Sequence, residues 1–197
     1  MAKSKFRPLH DRVVVKRVTA ETKSDNFDDL QISVKDNVLL IERPASSWLS
    51  LGHPPSYQVH VVTPVLHSLA VSSGAEATVK GSQEGKFSLA VSSGSHVHTS
   101  GIKGGDVKVH ASSGSKVSIA GTCISLEAQA SSGSDLDAGD LKCENVSLQA
   151  SSGSEVSVAA SKSVTGHASS GSDIRVKGKP STVQVDQSSG AHLEVRD

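Results

Sequence analysis

The sequence predicts an all-β chain, a single-stranded right-handed parallel β-helix of about seven coils, and three observations carry that expectation. The first is a tripeptide, Ser-Ser-Gly, that returns with its glycine at Gly74, Gly94, Gly114, Gly133, Gly153, Gly171 and Gly190, in steps of 20, 20, 19, 20, 18 and 19 residues. A constant period near twenty means that one structural unit is laid down repeatedly. The second is alternation around each glycine. Three residues after it stand Ala77, Val97, Val117, Leu136, Val156, Ile174 and Leu193, while the positions just before these carry Glu76, His96, Lys116, Asp135, Glu155, Asp173 and His192. Apolar columns three, five and seven residues before the glycine continue the same phase, so the period is two and each repeat reads as strand with one inward and one outward face. The third is a second small-residue column, Gly81, Gly101, Gly121, Gly139 and Gly178, six or seven residues after the first.

Two strands and two corners in 18–20 residues describe one coil of a solenoid in which equivalent residues stack. The seven repeat glycines serve as structural turns, since a tight corner needs positive φ or close backbone approach, which a Cβ opposes. Right-handedness follows the usual chirality of parallel crossovers. A flexible Ser/Gly linker would not keep five apolar columns in phase, and propeller blades are about twice this length.

The composition, 36% hydrophobic but 3% aromatic, suits a narrow interior filled by Val, Leu, Ile and Ala. A formal net charge of zero argues against nucleic acid or an anionic membrane as partner, because either asks for a basic face. Residues 1–18 hold no apolar run of the length of a secretory leader or a membrane span, so the chain as written reads as cytoplasmic.

The chain divides into residues 1–24, residues 25–66 as an amino-terminal β cap, and residues 67–197 as the repeat. In the cap, Leu30, Ile32 and Val34 alternate up to a Lys35-Asp36-Asn37 turn, and Val38 to Ile41 returns as the second strand of a hairpin. Pro44 to Ser56 reads as a loop, and Tyr57 to Val62 resumes alternation. Trp48 and Tyr57 are expected to cover the open end of the core. No comparable cover follows Val195, which makes the last coil a candidate surface for homo-oligomers.

Two resemblances rest on these residues. Arg7-Pro8-Leu9-His10-Asp11-Arg12-Val13-Val14-Val15, within Lys5 to Val18, resembles the first strand of the small co-chaperonin family, the GroES type. That family continues into a mobile loop, which Thr19 to Asp29 does not offer. The run from Phe27 to Ile41, followed by glycine turns every twenty residues, resembles the bacterial auto-transporter adhesin head domain, also called the head GIN domain, from about Asp25 to Asp197. Where family members commonly have Gly-Ser-Gly-Asp or Gly-Ser-Gly-Asn, this chain has Ser-Ser-Gly-Ser. The resemblance implies a β-helix without defined biochemical activity, exported to the periplasm or cell surface.

Candidate chemistry is sparse. Cys123 and Cys143 each lie ten residues before a repeat glycine, so they fall in register on adjacent coils. Their spacing permits a disulfide in an oxidising compartment or two thiols in a reducing one. His96, His98 and His110 are outward residues that could gather a transition metal, and read more simply as solvated. Asp135, Asp137 and Asp140, with Glu155 and Asp173, form an acidic cluster of the kind a β-helix polysaccharide lyase uses, yet the corners are too short to build a cleft. The Ser-Ser pairs read as turn-formers that satisfy local backbone groups. The expectation is therefore a non-enzymatic, adhesin-like scaffold, without cofactor or metal, that binds glycan or a surface protein through its outer face; a polysaccharide-active enzyme and a co-chaperonin are the alternatives.

Overall fold

The computed structural model describes residues 12–16, 30–42, 58–81 and 83–196, and the regular elements in them are all strands. In chain order these are β1 (Arg12–Lys16), β2 (Gln31–Lys35), β3 (Val38–Glu42), β4 (Ser68–Val71), β5 (Glu76–Val79), β6 (Gln83–Val91), β7 (His96–Ala111), β8 (Lys116–Ala130), β9 (Asp135–Ala150), β10 (Glu155–Ala168), β11 (Asp173–Lys177), β12 (Thr182–Gln187) and β13 (His192–Arg196). Among β4 to β13 every pairing is parallel and joins residues one repeat apart, which makes a β-solenoid of about seven turns.

The interior follows the sequence columns. Val117, Leu136, Val156 and Ile174 stack in one inward column with no exposed surface, and Val71, Val91, Ala111, Ala130, Ala150 and Ala168 line another. Thr99, which interrupts an apolar column in the sequence, is fully buried as well. The columns lose their cover at the last coil, where Val183 is 36% and Val195 49% exposed.

The expectation of two strands in each coil needs correction. In the middle of the solenoid a single strand of 14–16 residues runs between successive Ser-Ser-Gly turns, so the second glycine column does not end a strand. It marks β-bulges instead, with register shifts between Thr99 and Ile102, between Ser118 and Ala120, and on both sides of Ala159–Ala160. A bulge bends the chain while the ladder on either side persists. The bend creates a further inward run, Ile102, Cys123, Leu141, Cys143 and Ala160, all buried. Gly139 is not left-handed, unlike Gly101 and Gly121.

The turns have the positive φ expected at their glycines, and the serine before each shares it. Each turn has two successive left-handed residues: the second serine, at φ between 51° and 63°, and the glycine, at φ between 68° and 78°. This is a type I′ geometry, closed in the second coil by the Ser95 N–H donating to the Ser92 carbonyl at 3.3 Å. A non-glycine residue is seldom left-handed because its Cβ crowds the following carbonyl. Stacking holds it there: the Gly94 N–H donates to the Ser113 carbonyl at 3.0 Å, and the same bond recurs from coil to coil.

The serine that satisfies backbone groups is the one after the glycine, not either member of the Ser-Ser pair. Ser115, Ser134, Ser154 and Ser172 are buried, and their hydroxyls donate to the carbonyls of Val91, Ala111, Ala130 and Ala150 on the preceding coil. The first and last turns carry Ala75 and Ala191 at this position.

Glycine is required most strictly at Gly166, where φ is +154° and a Cβ would overlap the Leu148 carbonyl oxygen of the coil below. At Gly153 a Cβ would meet nothing within 4 Å, and only the positive φ of +68° opposes it. Gly166→Ala should therefore destabilise by about 3 kcal/mol as the backbone shifts, and Gly153→Ala by about 1 kcal/mol. Thermal unfolding of the two variants side by side checks the order.

At the amino-terminal end the pairing reverses. β2 and β3 form an antiparallel hairpin through Asp36 and Asn37, both left-handed, and β1 lies between β3 and β4, antiparallel to both. The co-chaperonin-like residues thus supply a strand to the same sheet. Residues 58–67, where the sequence alternates, form no strand, although Val59 and Val61 pack on the core. Trp48, Tyr57 and the expected Pro44–Ser56 loop lie outside the described residues.

Candidate functional site

Parallel in-register stacking places every outward side chain directly over its equivalent one coil away, so the surface is a set of columns. Opposite charges meet along them. Lys116 Nζ lies 3.0 Å from Asp135, Lys108 Nζ 2.5 Å from Glu127, and Lys162 Nζ 2.7 Å from Glu144, while Arg175 pairs with Glu155. Lys86 reaches Asp106 at 3.4 Å. These are exposed pairs, each worth little to stability, and they leave the surface locally neutral.

The candidate site is an open groove of about 330 Å3 on this outer face. Its floor is two neighbouring outward columns that cross four coils. One runs Asp106, Ser125, Asn145, Ser163, and the other Lys108, Glu127, Ser147, Thr165, with Val107, Leu126 and Val146 packed behind them. The floor is bonded within itself: the Ser125 hydroxyl donates to Asp106 Oδ1 at 2.7 Å, the Ser163 hydroxyl to Asn145 Oδ1 at 2.9 Å, and Gln129 Nε2 to Glu127 Oε1 at 3.2 Å. The groove passes from ion-paired residues at one end to uncharged hydroxyl and amide groups at the other. Ile124, which precedes Ser125 in the chain, is 56% exposed.

The Ser125 hydroxyl, and then Lys86, hold the Asp106 carboxyl below its usual range. A depressed folded value means that the contribution of Asp106 is present above its unfolded value and is lost as pH falls through the folded one. A small acid-side loss of stability is expected, and it should be absent in Asp106→Asn; melting temperatures between pH 5 and pH 2 measure it.

The candidates from the sequence are distributed as follows. His96 and His98 are exposed on β7 with His110 on the same strand beyond the bulge; His96 pairs with Glu76 and Lys116, and His110 with Ala90 and Gln129. Three members of the acidic cluster are tied in place. Asp135 and Glu155 hold cations, the Gly139 N–H donates to Asp137 Oδ1 at 3.0 Å, and Lys177 Nζ approaches the same glycine. The basic groups beside these carboxylates, Lys116 and Arg175, stand there as ion-pair partners. Among the described residues no three His, Cys, Asp or Glu converge as a metal site, and no helix is long and apolar enough to cross a membrane.

Cys123 and Cys143 are register partners on β8 and β9, with Cα atoms 4.5 Å apart, and form a disulfide. It closes a 20-residue loop, for which chain entropy gives about 3 kcal/mol. Reduction should lower the melting temperature accordingly, and Cys123→Ser with Cys143→Ser should make melting insensitive to reductant.

The groove residues Ser125, Asn145, Ser147, Ser163 and Thr165 were not singled out by sequence reasoning. A signal was present, because eight and six residues before the repeat glycine the outward columns change from charged to small polar residues along the chain.

Comparison with known proteins agrees with this architecture. A family model described as "Putative auto-transporter adhesin, head GIN domain" matches residues 14–180. The fold is similar to a crystal structure described as a putative adhesin from Bacteroides fragilis, with a TM-score of 0.74 over 85% of this chain and 77% of that one; at 15% identity the likeness speaks for the fold alone. A stretch of 24 residues, 12% of this chain, is 79% identical to Co-chaperonin GroES 5 and Co-chaperonin GroES 4 of Mesorhizobium japonicum and to Co-chaperonin GroES 1 of Rhodopseudomonas palustris. The chain spans about a quarter of the length of these curated relatives, 24% in each case.

Proposed function

The chain belongs to the auto-transporter adhesin head GIN domain family, and from that premise we propose that it is a non-catalytic, adhesin-type module that binds glycan or a surface protein through its outer face. The observation that carries this reading is the set of in-register outward columns, whose charges are paired between coils and whose groove offers polar groups without an isolated acid and base. A rigid flat array of this kind suits recognition of a repeating or extended partner. Catalysis would ask for groups held at perturbed protonation within a closed pocket, and Asp135, Glu155 and Asp137 of the acidic cluster are instead tied to lysine, arginine and a backbone amide respectively.

A co-chaperonin reading receives little support. The strand that carries that resemblance includes β1, which is occupied on both edges by β3 and β4.

An array of glycans and matrix proteins, probed with the full chain, tests the proposal. Saturable binding to at least one class is expected. Binding to none of them, by a sample that melts cooperatively, overturns it.

A further inference from the structure

We propose that the groove from Asp106 to Thr165 is the binding site itself and that its ligand is an uncharged, linear oligosaccharide lying along the solenoid axis across four coils. This rests on the adhesin-type reading above and names the ligand for it. Each ionised group on the floor already has a counter-ion or a hydrogen-bond donor from a neighbouring coil: Asp106 has Lys86 and Ser125, and Lys108 has Glu127. A polyanion or polycation would have to break these pairs without gaining a surplus of opposite charge, so electrostatic capture is not what the surface is built for.

What remains available is a mixed set of neutral donors and acceptors. Ser147 and Thr165 are exposed and have no side-chain partner among the described residues, and the Asn145 amide nitrogen is left over after its oxygen accepts from Ser163. Hydroxyl and amide groups that both donate and accept match the hydroxyls of a neutral sugar. Their spacing matters too: parallel strands put the groups one coil apart, about 4.8 Å, in a straight row, which presents the same contact repeatedly to a repeating polymer.

The lining holds no aromatic side chain, so ring stacking contributes nothing and a single site should be weak, with a dissociation constant on the order of 1 mM. Tight attachment would then come from several modules acting together.

The test is titration of the full chain with neutral linear hexasaccharides of glucose, mannose, galactose and N-acetylglucosamine, alongside sulfated and uronic-acid counterparts, followed by NMR or calorimetry. Three variants accompany it: Ser147→Arg with Thr165→Arg to fill the floor, Asn145→Ala as a milder change, and His98→Arg on the outward face beyond the bulge. The expected result is binding of at least one neutral chain, weakened at least tenfold by the double substitution and measurably by Asn145→Ala, and unchanged by His98→Arg. Equal binding by the floor variants, or tighter binding of the charged chains, overturns the assignment of groove and ligand. Protein binding on the array with no neutral sugar bound also overturns it but leaves the adhesin-type reading standing, whereas no binding of any class removes both.

Discussion

Replacing Val156 by Asp should abolish cooperative unfolding of the middle coils or lower the melting temperature by about 10–20 °C. Val156 has no exposed surface and stacks between Leu136 and Ile174. A carboxylate placed there would lose its water without gaining a partner, at a cost of several kcal/mol, against a total stability of about 5–15 kcal/mol for a domain. At this chain length each kcal/mol corresponds to about 2–4 °C. Because a coil touches only its neighbours, the damage should spread along the solenoid from coil to coil. Val117→Asp should behave alike. His96→Ala, on the outward side of the same strand that carries Val97, should stay within about 0.5 kcal/mol of the parent. Circular dichroism melts of the three proteins measure the contrast, and an unaltered melt for Val156→Asp would refute the inward assignment.

Deleting residues 1–18 should be nearly as damaging, for a different reason. It removes β1 and so leaves two edges unpaired, that of β3, which loses five register partners, and that of β4, which loses three. With a net worth near 1 kcal/mol for each hydrogen bond, less the entropy of ordering the strand, the loss should be about 3–5 kcal/mol. Exposed edges also template association between chains, so the truncated protein should form dimers or larger species in size-exclusion chromatography. A synthetic peptide spanning residues 10–18 should restore the melt and the elution volume. A truncated protein that melts and elutes like the full chain would show that β1 contributes nothing to the sheet. The same reasoning warns against trimming the co-chaperonin-like segment before binding measurements.

Most of the solenoid was legible because a repeat protein writes its register into its sequence. A twenty-residue period with alternating apolar positions leaves stacking of equivalent residues as the simplest way to bury them, and Val117, Leu136, Val156 and Ile174 can be placed inside from spacing alone. The partnership of Cys123 and Cys143 was equally visible as a position on adjacent coils. The candidate groove was only half legible. Its columns follow from parity, but concavity depends on how the bulges bend each coil, and parity carries no curvature.

What the sequence determined by itself was therefore the periodic part: strand, turn, inward and outward face, and which residues of successive coils meet, since these follow from local chemistry multiplied by a constant step. Three matters were decided only in the tertiary structure. The second glycine column bends a continuous strand instead of ending it, because inter-coil hydrogen bonds on both sides of the bulge outweigh the break. The second serine of each turn is left-handed, a conformation its Cβ disfavours, because the glycine N–H of the preceding coil fixes its carbonyl. And β1, whose Val13 partners both Ile41 and Val71, enters the sheet between β3 and β4 by antiparallel pairing, a contact outside the repeat that no period could announce.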